Sequence, residues 1–253
     1  LIDDHRMQAE TVEVDVFEPL KLAAQLDTLS SRCDTAVVMA LDHPRVRASI
    51  DALVDAGTNV ITLVSDVPSS RRHHYVGIDN VAAGRTAATL IGRFAGMHRG
   101  LVGVVVGSMS LRDHAEPSFG FTQVMHPEYP NLQVLPPLEG RDDSRQTEQL
   151  VRELLQRHSN LLAIYSAGAG NRGIATALEA SGRAHDVVLV EHELTPHSRE
   201  HLLSGTADAV LNQNAGHEIR SAMRLALARQ TGEPVMDDQE CIRIDIYLRD
   251  NLP

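Results

Sequence analysis

Residues 101–106, LVGVVV, form an unbroken apolar run that decides the fold class. A strand covered on both faces has a continuous apolar sequence, whereas a strand with one wet face alternates apolar and polar residues. A second such run stands at residues 35–41. Elsewhere, short apolar segments alternate with amphipathic segments of helical spacing, and this alternation predicts an α/β protein with parallel, Rossmann-like sheets.

The predicted elements fall into two series, and no low-complexity linker separates them. The first series opens with a strand at 12–17 and a helix at 20–31, and the second includes a strand at 161–165 and a helix at 171–180. Two sheet-forming series without a flexible joint predict two lobes with a ligand cleft between them, at the C-terminal ends of the strands.

The lobes are expected to be joined by crossovers near Ser108, Gln213 and Asp237. The predicted N-terminal lobe contains residues 1–108 and 214–236, and the predicted C-terminal lobe contains residues 109–213 and 237–253.

Composition limits the partners. The chain has 23 Lys and Arg against 34 Asp and Glu, a formal charge of −11, and phosphate binding depends on clustered basic residues. We therefore expect no contact between this polypeptide and nucleic acid. Aromatic residues make up only 3% of the chain, so the cores are expected to be aliphatic.

Cys33 and Cys241 lie far apart without metal-like spacing, which predicts two buried thiols in a reducing compartment. No basic segment precedes an apolar stretch, and no apolar run is long enough to span a bilayer, so we expect a cytoplasmic protein without membrane contact. The start, LIDD, is not typical of a natural N-terminus, so a signal peptide or another domain could precede it.

Two motifs offer alternative functions. Residues 168–173, GAGNRG, match the G-x-G-x-x-G pattern of dinucleotide-binding proteins, with Glu191 about 20 residues further on. Residues 197–201, HSREH, match an inverted zinc-peptidase pattern. We interpret the first as a glycine-rich turn and the second as a solvated helix with two surface histidines. No catalytic residue, metal or cofactor is predicted, and the protein is not expected to be an enzyme.

Polar side chains recur at the predicted C-terminal ends of strands. Carboxylates and carboxamides suit a polyol because they accept from or donate to neighbouring hydroxyls. Aromatic side chains offer stacking surfaces. The predicted ligand-binding residues are Asp42, His43, Asp79, Ser108, Phe119, Tyr165, Asn171, Glu193 and Gln213.

Residues 75–80, YVGIDN, followed by AAGR at 82–85, closely resemble a stretch of the effector-binding domain of the lactose-repressor (LacI) family. Weaker similarities lie at 107–108, 120–121, 165–173, 188–195, Gln213 and 243–253. The resemblance implies a type I periplasmic-binding-protein fold. By position, Asp79, Glu193 and Gln213 match ligand contacts of the family.

The resemblance also implies a transcriptional regulator that works as a homodimer. An upstream helix-turn-helix, which these residues do not include, would bind operator DNA, and a sugar or polyol effector between the lobes would change that affinity. The chain departs from the family in lacking the usual first strand of the first lobe, and in having Pro117 where the family has an arginine ligand. The alternatives are a periplasmic sugar-binding protein of an ABC importer and, more remotely, an NAD-dependent oxidoreductase.

Overall fold

The computed structural model describes residues 8–15, 17–30, 32–168, 170–235 and 240–253. They form a three-stranded sheet and a seven-stranded sheet, one in each of two lobes, and helices pack against both sheets. The α/β two-lobed class predicted from the sequence is confirmed. The described helices are α1 Pro19–Leu26, α2 Pro44–Asp55, α3 Asn80–Ala95, α4 Arg112–Glu128, α5 Ser144–Arg157, α6 Asn171–Ala180, α7 Pro196–Ser204, α8 Ala215–Thr231 and a short 3₁₀ helix at Arg249–Asn251.

The first lobe contains a parallel sheet of β1 (Thr35–Val38), β2 (Asn59–Leu63) and β3 (His74–Val76), in that order. Side chains alternate between the two faces of a strand. Accordingly, Val60 of β2 packs with α1 and α2 in one core, while Ile61 joins a second core on the other face, where α8 lies.

The second lobe contains a larger sheet in the order β10-β9-β8-β7-β4-β5, with β6 also paired to β4. All of its neighbouring strands are parallel except β10, which runs antiparallel to β9. The strands are β4 Gly100–Val106, β5 Leu132–Val134, β6 Leu138–Glu139, β7 Leu161–Ser166, β8 Val188–His192, β9 Ala209–Gln213 and β10 Ile244–Tyr247.

The strand predicted at 101–106 is β4, but it lies in the second lobe, so the prediction that residues 1–108 belong to the first lobe was wrong for this strand. β4 hydrogen-bonds to β7, and α3 packs against α4. The first crossover therefore lies between β3 and α3, near Asp79 rather than Ser108. An apolar run predicts a buried strand, but only pairing decides which sheet receives it.

The second crossover follows Gln213, because β9 belongs to the larger sheet while α8 packs on β2 and β3. The chain returns to the larger sheet between α8 and β10, and Asp237 lies outside the described residues. Three connections thus join the lobes.

The strand predicted at 12–17 is not seen among the described residues of that segment. Residues 8–15 have no strand assignment, Phe17 lies in a turn, and Val16 lies outside the described residues. Alternating polarity favours a strand, yet a strand forms only where another strand pairs with it.

The cysteine prediction was also wrong, because Cys33 is half-buried and Cys241 is exposed. Among the described residues, no helix combines the length and apolar character needed to cross a bilayer.

Candidate ligand-binding cleft

Among the contacts of the described residues, two side-chain contacts join the lobes near the C-terminal ends of their strands. Arg112, in the first turn of α4, lies 3.7 Å from Asp42, which follows β1 (Nη1 to Oδ2). The Arg141 guanidinium of the second lobe lies 5.6 Å from the ring centroid of Phe17, just before α1. These contacts hold the two strand edges close together, and parallel α/β sheets bind ligands at such edges.

Asp42 connects the lobes through a charged network. Its Oδ1 accepts a hydrogen bond of 2.9 Å from Arg47 Nη2, and Arg112 is also paired with Glu116. The Nε atoms of both arginines are buried without a partner. Arg112 therefore keeps a donor available at the cleft after its ion pairs have formed.

Glu193 and Gln213 meet at the end of β8 and β9. The Gln213 Nε2 donates to Glu193 Oε1 at 2.9 Å. Glu193 adopts a left-handed backbone conformation with φ of 68°, which costs a non-glycine residue about 1–3 kcal/mol. Its amide donates to the Leu211 carbonyl at 2.8 Å, and its own carbonyl accepts from Ser198 Oγ at 2.6 Å. The fold thus holds a strained residue in place, as is common at functional sites.

Two glutamates of the cleft have strongly perturbed acidity. Burial raises the pKa of the Glu193 carboxyl to about 7; the Gln213 hydrogen bond opposes this increase, and the Asp113 carboxylate adds to it. Burial, followed by repulsion from Glu193, raises the pKa of Glu218 to about 7. Asp113 and Glu193 belong to the second lobe, whereas Glu218 belongs to α8, which packs on the sheet of the first lobe. The acidic groups therefore come from both lobes.

Several buried polar atoms near the crossover have no hydrogen-bond partner in the described structure. Three of them are acceptors: Asp113 Oδ1, Gln213 Oε1 and Glu218 Oε1. Leaving a buried polar atom unpaired costs about 1–3 kcal/mol. Each of the three residues acts on or responds to Glu193, since Gln213 hydrogen-bonds to it and Asp113 and Glu218 interact with its charge. Three unpaired acceptors around one carboxyl favour a bound molecule that supplies several hydrogen-bond donors.

Tyr165 was predicted as a stacking surface for the ligand, and that prediction was wrong. Its side chain is 0% exposed, and its ring stacks on Phe121 at a centroid distance of 4.7 Å. Its hydroxyl bonds to His192 Nε2 at 2.8 Å. Tyr165 lies within a strand that is buried on both faces, so it belongs to the core.

Asn171 joins the same buried network. Its Nδ2 donates to the His192 carbonyl at 2.9 Å, and its Oδ1 accepts from Ser166 Oγ at 2.6 Å. Burial lowers the pKa of His192 to about 4, which keeps the ring neutral. This network orients the ends of β7 and β8 beneath the cleft.

The other predicted site residues have mainly structural contacts. His43 and Asp79 are N-caps: His43 Nδ1 accepts from the Arg45 amide at 3.1 Å, and Asp79 Oδ1 accepts from the Ala82 amide at 2.8 Å. The Ser108 amide donates to His114 Nδ1 at 3.2 Å, and Phe119 is 59% exposed on α4. Ligand contact by any of these residues stays a prediction.

Sequence reasoning missed Arg112, Asp113 and Glu218, which lie in the first turns of α4 and α8. Polar residues are common in the first turn of a helix, so each looks like an ordinary surface position. The one available signal was their location just after a predicted strand end.

The glycine motif has a packing explanation. A Cβ atom on Gly173 would lie 2.1 Å from the Ser144 carbonyl oxygen, so α6 can approach α5 only because Gly173 has no side chain. Gly170 has φ of +99° and precedes α6, a conformation that favours glycine. Ala169 lies outside the described residues. Helix packing accounts for these glycines without a dinucleotide.

The histidine motif does not bring its two histidines to one surface, so the prediction of two surface histidines was wrong. His197 is 52% exposed, whereas His201 is buried with its Nδ1 3.0 Å from Glu191 Oε1. Within the described ranges, no group of three or more His, Cys, Asp or Glu side chains could hold a metal ion.

A separate groove of about 1060 Å³ lies at the opposite end of the larger sheet. Its lining includes Gly100 and Leu101 at the start of β4, together with Tyr129 after α4. Ligands of open parallel sheets bind at the C-terminal strand ends, so this groove is not the candidate site.

The fold and the cleft define a two-lobed ligand-binding protein. The chain belongs to the periplasmic binding protein domain family, whose sequence model matches residues 11–234. No curated protein has a sequence that matches the chain significantly.

Solved structures share the fold at low sequence identity. GanP, a glucose-galactose binding protein from Geobacillus stearothermophilus, is 19% identical with a TM-score of 0.85, over 95% of this chain and 85% of GanP. An ABC transporter solute-binding protein from Burkholderia graminis C4D1M, in complex with D-arabinose, is 21% identical with a TM-score of 0.86, over 92% of this chain and 82% of that protein. A third, from Agrobacterium vitis with bound α-D-tagatopyranose, is 18% identical with a TM-score of 0.83, over 90% of this chain and 80% of that protein.

Proposed function

We propose that this chain is a solute-binding protein whose two lobes close on a sugar or polyol, as the binding component of an importer. The observation that carries the proposal is the set of buried, unpaired acceptors on Asp113, Gln213 and Glu218 beside the crossover. A ring of hydroxyl groups is a matching set of donors, since each hydroxyl both donates and accepts.

The similar solved structures support the proposal of an importer's binding protein. Structures of similar fold include solute-binding proteins of ABC transporters that hold D-arabinose and tagatopyranose. A ligand that contacts both lobes favours the closed arrangement by the difference between its affinities for closed and open states. The Asp42–Arg112 contact between the lobes would then stabilise the closed arrangement.

A second candidate is the effector-sensing domain of a LacI-type regulator, which the YVGIDN stretch at 75–80 favours. The two candidates share a cleft but differ in compartment and partner. A signal peptide encoded upstream would support the importer and an exported location. A helix-turn-helix encoded upstream would support the regulator, a cytoplasmic location and operator binding by a homodimer.

Thermal unfolding in the presence of pentoses, hexoses and polyols tests ligand binding. We expect at least one compound to raise the Tm and Gln213→Ala to weaken that effect, because Gln213 carries a free acceptor and orients Glu193. Gln149→Ala is the matched control, since Gln149 is exposed on α5 and its side chain hydrogen-bonds only to Glu153 among the described contacts. No stabilising compound in the panel, or an unchanged response in Gln213→Ala, would contradict the proposed site.

A further inference from the structure

The charges of the cleft leave three carboxylates without a basic partner. Arg47 and Arg112 are matched by Asp42 and Glu116, with which they form ion pairs. Among the described contacts, no Arg or Lys pairs with the other carboxylates of this region: Asp113, Glu193 and Glu218.

Two histidines near these carboxylates, His114 and His192, do not supply the missing positive charge. His114 Nδ1 accepts a hydrogen bond from the Ser108 amide at 3.2 Å, so that nitrogen carries no proton, and His114 Nε2 lies 4.0 Å from Asp113 Oδ2. His192 is fully buried, hydrogen-bonded to Tyr165, and kept neutral by its lowered pKa.

The helix ends offset only part of the negative charge. Asp113 and Glu218 lie in the first turns of α4 and α8, and each helix N-terminus acts as about half a positive charge. Two helix N-termini together supply about one positive charge, which is less than the negative charge of the three carboxylates when they are ionised.

Glu218 is the strongest indication that a ligand completes the site. Glu218 is 1% exposed, and its Oε1 atom has no hydrogen-bond partner among the described residues. It lies close enough to Glu193 for their charges to repel. Burial is the main cause that raises the pKa of the Tyr75 hydroxyl, and the Glu218 carboxylate adds to that increase. Both buried carboxyls can ionise together only at a substantial cost, and a cation bound between them removes that cost.

We infer that the cleft selects an amine-bearing sugar or polyol, with its ammonium group bound among Asp113, Glu193 and Glu218. The inference rests on the proposed function, and it adds the charge of the ligand. An ammonium group donates three hydrogen bonds and carries one positive charge, so it satisfies the free acceptors and reduces the repulsion between the lobes. The hydroxyls of the same ligand bind to Gln213 and Arg112.

Isothermal titration calorimetry of the full chain with matched ligands tests the inference. The probes are 2-amino-2-deoxyhexoses and 1-amino-1-deoxyalditols, each compared with its neutral parent and with its N-acetyl derivative. We expect at least one amine to bind about tenfold or more tightly than its parent, because burying a charge pair gives a substantial coupling energy. Acetylation should remove the advantage, since it removes the charge.

Two variants assign the preference to the site. Glu218→Gln keeps the shape of the side chain and should lower the amine-to-parent ratio toward one. Glu200→Gln, on the exposed side of α7, is the control and should leave the ratio unchanged. Thermal unfolding of both variants checks that each is folded, and the wild-type comparison of amine with parent does not depend on them.

The outcomes separate the inference from the proposed function. A neutral parent that binds as tightly as its amine would overturn the amine inference and leave sugar binding in place. Failure of both series to bind would overturn both. An amine preference that survives in Glu218→Gln would overturn the assignment of the ammonium group to this cluster.

Discussion

Replacing Glu193 by glutamine should stabilise the ligand-free protein at alkaline pH and leave it unchanged in acid. Glutamine has the same shape and can still accept the Gln213 hydrogen bond, but it cannot ionise. Burial raises the pKa of Glu193 from an ordinary value of 4.5 to about 7. The change therefore removes the cost of a buried charge while keeping the packing.

The magnitude follows from the two pKa values. Below pH 4.5 the carboxyl is protonated in the folded and unfolded protein, so it has no linked effect; above about pH 7 it is ionised in both. Between these limits wild-type stability falls by about 3 kcal/mol from this group, because the folded state holds the proton more tightly. Removing Glu193 also removes a repulsion that raises the pKa of Glu218, which adds to the gain.

Urea unfolding at pH 5 and pH 8 measures the effect. The free energy of unfolding of Glu193→Gln should exceed that of the wild type at pH 8 and approach it at pH 5. Glu200→Gln, an exposed change in the same lobe, should differ from the wild type by the same small amount at both pH values. An equal effect of Glu193→Gln at pH 5 and pH 8 would refute the reasoning.

Two further predictions concern the motifs that resemble enzyme signatures. Gly173→Ala should lower stability by about 1–3 kcal/mol in thermal unfolding, because its Cβ would collide with the backbone of Ser144. Gly216→Ala is the control and should have little effect, because its Cβ would lie 3.1 Å from the flexible end of Arg220 and at an ordinary 3.4 Å from Asn214 Oδ1. Equal effects of the two changes would contradict the packing explanation. Replacing either Glu191 or His201 by leucine should lower the free energy of unfolding in urea by about 3–5 kcal/mol, because the partner side chain is left buried and unpaired. Replacing both residues by leucine should recover much of that loss. A double variant whose loss equals the sum of the two single losses would contradict the pairing.

The sequence predicted the site unevenly. Glu193 and Gln213 follow predicted strands, and the structure joins them by a hydrogen bond. Asp79 follows a strand as well, but its carboxylate caps α3. A strand end can become a cap or a ligand contact, and local sequence does not distinguish them because both need the same polar side chain.

What the sequence by itself determined is the class of fold. The apolar runs at 101–106 and 35–41 indicate strands that are buried on both faces, since helices on both sides of a sheet cover an unbroken apolar strand. That pattern is local, so it can be read without knowing any partner strand.

Only the tertiary structure decided where the lobes divide and which polar groups meet. β4 joins the second lobe because it pairs with β7, about sixty residues later in the chain. Likewise, Asp113, Glu193 and Glu218 come from α4, from the end of β8 and from α8. Each residue alone has an ordinary sequence context, and the repulsion of Glu193 with Asp113 and with Glu218 appears only when the fold brings those elements together.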